Sequence, residues 1–100
     1  MRVGFDSGSA KLGPQASQQL KRIAEGMSKD EQLRLQLLAY AGGTSETASQ
    51  ARRLSLSRAL AARSYLIGEG VRSTRIDVRA LGNKSEGGPP DRIDIIITKR

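Results

Sequence analysis

Hydrophobic residues recur along this chain with two different periods, and the switching between them lays out the elements. Arg2 to Phe5 is a short apolar entry that reads as a first strand, and Asp6-Ser7-Gly8-Ser9 is a turn. Gly13-Pro14 opens a helix, because proline tolerates the first helical position and presets φ there. Ala16, Leu20, Ile23, Ala24 and Met27 follow at helical spacing, with Gln15, Gln18, Gln19, Lys21, Arg22 and Glu25 largely off that stripe. The helix is expected to end near Ser28, before the polar link Lys29-Asp30-Glu31. From Gln32 to Tyr40 the period changes to two. Leu33, Leu35 and Leu37 alternate with Arg34 and Gln36, the pattern of a half-buried strand.

Ala41-Gly42-Gly43 breaks that strand. Thr44 or Ser45 is suited to cap a second helix, and Glu46 falls in its first turn, where an acid complements the helix dipole. This helix should run from about Ser45 to Ile67, closed by Gly68 and Gly70. Ala48, Ala51, Ser55, Ala59, Ala62 and Leu66 line one narrow face whose small residues let a helix approach a sheet closely. Arg75 to Leu81 alternates Ile76, Val78 and Ala80 with Asp77 and Arg79, a third strand. Gly82 to Pro90 is a loop with no core-forming residue, stiffened by Pro89-Pro90. Arg92 to Thr98 is the last strand, and its isoleucine run suggests burial on both faces. The order is β-α-β-α-β-β. It predicts one α+β domain over residues 1–100, a mixed sheet with two helices packed on it. Its βαβ crossovers should be right-handed, and its last two strands are free to pair as a hairpin.

Composition narrows the chemistry. With 100 residues there is enough chain for one core and too little for two. Neither Cys nor His occurs, which removes disulfides, thiol catalysis, zinc-finger spacings and imidazole acid–base chemistry together. The serines Ser7, Ser9, Ser55 and Ser57 therefore lack a histidine to activate them, and no lysine stands at a recognised spacing for a Ser–Lys pair. The acids Asp77, Asp91 and Asp94 sit beside arginines, which fits salt bridges better than general acid–base work, and none shows calcium-loop spacing. An enzyme, a metal and a cofactor are all unexpected. No apolar run approaches the roughly 20 residues that span a membrane, and the start lacks a signal-peptide pattern.

The net charge is +7. A basic domain points to polyanions such as nucleic acid, anionic lipid or an anionic cell-wall polymer, or it serves solubility alone. With three aromatics in all, there is no stacking platform for specific nucleic-acid recognition. The charge concentrates in Gln50 to Leu66, which holds Arg52, Arg53, Arg58 and Arg63 and no acid, yet is rich in Leu and Ala. Arg58 is bordered around the helix by Ala51, Leu54, Ala62 and Tyr65, so it needs a partner or a route to water. It is either a carboxylate receptor or a structural arginine paired with Asp77, Asp91 or Asp94. Arg52, Arg53 and Arg63 read as a solvated basic face. Gly42-Gly43 is either a point of close ligand approach at a helix N-terminus or a turn that needs positive φ.

Two stretches resemble a known family. The opening, VGFDSGSAKLGPQASQQLKRIA, is similar to the start of the OmpA-like domain, the C-terminal domain shared by OmpA, MotB and Pal. LSLSRALAARSYLIGEGVRSTRIDVRALG resembles that family's Leu-Ser-x-x-Arg-Ala segment with the strand that follows it. The resemblance implies a periplasmic or cell-envelope domain, expected to be a fragment of a longer envelope protein, that binds the diaminopimelate of peptidoglycan without catalysis. Arg58 falls on the family's arginine, which forks onto the ligand carboxylate. The family's aspartate falls on Gly43 and its asparagine on Ala51, so two expected contacts are absent. On this reading Gly43, Thr44 and Ser45 make the rest of the pocket, and Glu46 is the nearest acid for the ligand ammonium. The ending also departs, with Pro90-Asp91-Arg92-Ile93-Asp94 in place of Asn-Arg-Arg-Val-Glu. The alternative is a scaffold that keeps the fold, lacks peptidoglycan binding, and joins other envelope proteins or a second copy of itself.

Overall fold

Two helices lie against one side of a four-stranded mixed sheet in the computed structural model, which describes residues 1–84 and 87–99. In chain order the elements are β1 (Arg2–Gly4), α1 (Pro14–Ser28), β2 (Leu33–Tyr40), α2 (Ala48–Gly68), β3 (Ile76–Gly82) and β4 (Arg92–Lys99). Short 3-10 turns, Ser45–Thr47 and Ser73–Arg75, precede α2 and β3. The sheet order is β1-β4-β2-β3. β4 runs antiparallel to both β1 and β2, and β3 runs parallel to β2.

The periodicities become layers directly. The α1 stripe Ala16, Leu20, Ile23, Ala24 and Met27 is buried, as are Leu35, Leu37 and Ala39 of β2 and Ile93 and Ile95 of β4. α2 contributes Ala59, Ala62 and Leu66 to the same core. Its small face does bring it close to the sheet. An added Cβ at Gly82 would stand 3.2 Å from the Arg52 backbone, and Gly82 also holds φ at +57°. Only glycine meets both demands without strain. Beside it, the fully buried Ser55 hydroxyl donates to Arg52 O at 2.8 Å and accepts from the Gly82 amide at 3.0 Å. That hydroxyl satisfies a strand N–H that a hydrophobic residue would leave unpaired.

Arg75 has a comparable structural task. Its guanidinium donates to Leu33 O, Met27 O and Asp30 O at 3.0, 3.1 and 2.6 Å. It adds a second donor to Met27 O and Asp30 O, which also accept backbone N–H groups, and places positive charge at the C-terminal end of α1, where the helix dipole favours a cation.

Two expectations fail. β3 and β4 do not form a hairpin. The parallel β2–α2–β3 unit sets β3 on one flank of β2, and β4 enters on the other flank, between β1 and β2. That central place buries Ile93 to 0% and Ile95 to 3% exposure, which an edge place would not. Nor is the isoleucine run buried on both faces. Ile96 points to the face away from the helices and is 40% exposed, and Ile97 lies beyond the β1 pairing and is 50% exposed. The uncovered face carries polar residues, among them Asp94, which pairs with both Arg2 and Arg92 at 3.0 Å. Arg92 also stacks its guanidinium 4.2 Å from the Tyr40 ring centroid. Within the Gly82–Pro90 loop, Gly82 belongs to β3 and is buried. Ser85 and Glu86 lie outside the described residues.

Candidate functional site

Arg58 is the largest of the fully buried side chains among the described residues. Helical spacing puts it on the inner stripe of α2, two turns below Ala51, where a bare guanidinium would be prohibitively costly. Four hydrogen bonds settle it. Nε donates to Ser9 O at 2.7 Å and Nη2 to Asp6 O at 3.0 Å, both in the turn after β1. Nη1 donates to Tyr40 O at 2.9 Å, at the end of β2, and to Asp91 Oδ1 at 2.9 Å, just before β4. The Phe5 ring lies 5.0 Å from its Cζ. One side chain thus ties α2 to the chain ends of three strands.

Asp91 is the partial opening to this knot. Its side chain is 22% exposed while that of Arg58 is fully enclosed. Asp91 Oδ1 also accepts from the Gly42 amide at 3.2 Å. Partial burial by itself would raise the Asp91 carboxyl. The Arg58 hydrogen bond, the Gly42 amide and the guanidinium charge together outweigh burial and hold the group below its usual value. A carboxylate here is therefore clamped between a guanidinium and a backbone amide, with part of its surface open to solvent.

The other expected site residues form the rim above. Gly43 and Ala51, the positions of the family's aspartate and asparagine, face each other across a tight contact. A Cβ on Gly43 would stand 3.0 Å from Thr47 Oγ1 and 3.2 Å from Ala51 Cβ. The glycine pair does not use positive φ, so close approach to α2, not turn geometry, is the reason for Gly43. Thr44 caps the 3-10 turn. Its N–H donates to the Thr47 hydroxyl at 2.9 Å, and its carbonyl accepts from Asn83 Nδ2 at 3.0 Å. Ser45 and Glu46 are exposed, and Glu46 makes no ion pair among the described residues.

Of the three acids considered for Arg58, Asp91 is the partner. Asp94 serves Arg2 and Arg92, and Asp77 stands exposed on β3. Sequence reasoning offered Gly42-Gly43 as a place where helix-start amides meet a ligand, but it missed the bond from the Gly42 amide to Asp91 and the three carbonyls on Arg58, because backbone groups leave no residue-type signal. Asn83, in the expected loop, ties that loop to Thr44 through its side-chain amide, and an Asn just after a strand glycine is the sequence signal for it. Among the described residues, no group of acids gathers to hold a metal, and no helix is long and apolar enough to cross a membrane.

The comparisons with known proteins agree with this architecture. The profile of the OmpA family matches residues 4–91, and the chain belongs to that family. No match was found among curated proteins. Among solved structures, the peptidoglycan-associated lipoprotein of Burkholderia pseudomallei superposes with a TM-score of 0.82 at 21% identity, over 97% of this chain and 89% of that one. The C-terminal domain of Helicobacter pylori MotB gives 0.83 at 16% identity, over 100% of this chain and 85% of that one. The OmpA-like domain of FopA1 from Francisella tularensis gives 0.78 at 21% identity, over 98% and 71%. These likenesses establish a shared fold.

Proposed function

We propose that this domain is a non-catalytic tether to peptidoglycan in the cell envelope, and that it engages the free carboxylate of a stem-peptide diaminopimelate. One observation carries the reading. The Arg58 guanidinium and the Gly42 amide already clamp a carboxylate, that of Asp91, at 2.9 and 3.2 Å. A ligand carboxylate would take that place with Asp91 swung outward, and the Gly43–Glu46 rim would line the ligand's other end. Glu46, exposed and without an internal cation, is the group available to an ammonium. Family membership supports the substrate, and the Burkholderia relative is itself described as peptidoglycan-associated.

A second reading has its own support. Arg58 has no exposed surface and four internal acceptors, and Thr47 and Ala51 crowd the space a side chain at Gly43 would need. On that reading the site is a structural knot and the domain joins other proteins. Co-sedimentation with purified sacculi at low salt, together with an amide-shift titration by diaminopimelate, separates the two. Retention on sacculi with shifts at Gly42, Gly43 and Asp91 is expected. A protein that stays in the supernatant, in wild-type form and as Asp91→Ala, would select the scaffold instead.

A further inference from the structure

The outward side of α2 carries a mixed chemistry that the Arg58 site does not use. Leu56 and Leu60 are each 44% exposed and Ile67 is 39% exposed, half of the large hydrophobic side chains left exposed among the described residues. At 100° per residue the three lie within about 40° of one another around the helix, in a row about 16 Å long. Arg52 and Arg63 border the row on one side and Arg53 on the other. No acid occurs anywhere in α2. A cleft of about 730 Å3 opens at the N-terminal end of the row, between α2 and the end of β3. Leu56, Ala80 and Leu81 supply its apolar lining, and Arg52, Arg53 and Lys84 its charge. None of these cations, nor Arg63, makes an ion pair among the described residues.

We infer that this face docks the domain on an anionic phospholipid bilayer, with a headgroup phosphate in the cleft and the apolar row at the acyl boundary. A helix face that sets leucines between arginines suits such a surface. The apolar side chains enter the hydrocarbon edge while the guanidinium groups stay among the phosphates. The cleft extends the match, because a phospholipid presents charge and hydrocarbon together, as the cleft's own lining does. Arginine forks suit phosphate oxygens in particular. The rest of the outward face is small and polar, with Ser49, Ser57 and Ser64 all exposed, so nothing on it holds the row away from a bilayer.

Charge and composition select this occupant over others. A second copy of the chain brings no complement, since it carries the same net charge of +7, and pairing these faces would set arginines against arginines. A protein partner fits less well. Binding hot spots are rich in Trp and Tyr and poor in Leu, and the one aromatic residue of α2, Tyr65, lies on the opposite side of the helix from the row. A nucleic acid or a sulfated glycan would use the cations and leave the leucines in water. The inference is independent of peptidoglycan binding, since no hydrogen bond joins these side chains to Arg58, Asp91 or Gly42 among the described residues.

The test is co-sedimentation of the protein, with no peptidoglycan present, with vesicles of an equal mixture of phosphatidylglycerol and phosphatidylcholine. A parallel arm uses vesicles of phosphatidylcholine alone. The protein is expected to sediment with the mixed vesicles and to stay in solution with the neutral ones. Each arginine near an anionic surface contributes about fivefold in affinity, so the double variant Arg52→Gln, Arg53→Gln should bind roughly 25-fold more weakly. Leu60→Ser, with charge unchanged, should lose about fivefold, as its partly exposed side chain leaves the acyl boundary. All three residues are exposed, so both variants should keep the wild-type circular dichroism spectrum. Wild-type protein that stays in solution with the mixed vesicles overturns the inference. So does equal sedimentation with neutral vesicles, or undiminished binding by Leu60→Ser, since the first removes the role of charge and the second describes a plain anion-binding face. Amide shifts along Arg52–Ile67 with a synthetic helical peptide of Glu and Leu, from a protein that ignores the vesicles, would assign the face to a protein partner instead.

Discussion

Replacing Asp91 by alanine should move stability and ligand affinity in opposite directions. In the folded protein Asp91 Oδ1 takes a charge-assisted bond from Arg58 at 2.9 Å and a neutral one from the Gly42 amide at 3.2 Å. Bonds of these kinds contribute about 1.5–3 and about 1 kcal/mol. The carboxylate is 22% exposed, so water recovers part of that loss, and a net destabilisation of about 2 kcal/mol is the working value. In wild type the same contact competes with any incoming carboxylate. Removing it should release a similar free energy to the ligand, about 30-fold in affinity for diaminopimelate. Urea unfolding at neutral pH measures the first quantity, and titration calorimetry or amide shifts measure the second. Asp91→Asn, which keeps an acceptor and loses the charge, should fall between wild type and Asp91→Ala on both scales. A variant that loses stability while its affinity stays the same or falls would refute the reasoning, for then Arg58 serves the fold alone.

The remaining predictions concern neighbouring groups. Because the Asp91 carboxyl is held below its usual value, its stabilising contribution is complete above the unfolded value near 4 and drains away as pH falls through the folded value. The wild-type urea midpoint should therefore drop more steeply below about pH 4 than that of Asp91→Asn. Arg58→Lys should destabilise the domain by about 3 kcal/mol, since one ammonium cannot span acceptors arranged for a planar fork, and thermal unfolding will read it. Gly82→Ala should cost about 1–3 kcal/mol, from strain at φ +57° and from crowding against the Arg52 backbone, as read by urea unfolding. Gly43→Asp, which puts back the family's residue, should lower stability by about 1–2 kcal/mol and leave diaminopimelate affinity unimproved, because its Cβ presses on Thr47 and Ala51.

The helices and strands were legible because each buries one face and so writes its period into the sequence. The α1 stripe from Ala16 to Met27 and the β2 alternation at Leu35 and Leu37 both reappear as buried residues. The narrow face of α2 was legible as well, since Ser55 and the alanines have little other use in a row. What one strand sees on its second face is not written in its own residues. Ile96 looks like a core residue beside Ile95, yet among the described residues no helix covers that side of the sheet. Likewise, nothing local in Arg92–Lys99 says that it lies between β1 and β2. That place follows from the parallel crossover having already taken β2's other flank.

Arg58 divides along the same line. Sequence alone determined that an arginine stands on an apolar helical stripe inside a Leu-Ser-x-x-Arg-Ala segment, that it must find a partner, and that three acids were candidates. Tertiary structure alone decided that Asp91 is the partner, and that three backbone carbonyls, two in the turn after β1 and one at the end of β2, complete the fork. It alone decided that Thr47 and Ala51 stand where a side chain at position 43 would go. The physical reason is range. Periodicity and charge are properties of a segment, whereas a buried guanidinium is satisfied by groups far away in the chain that meet only when the sheet has closed.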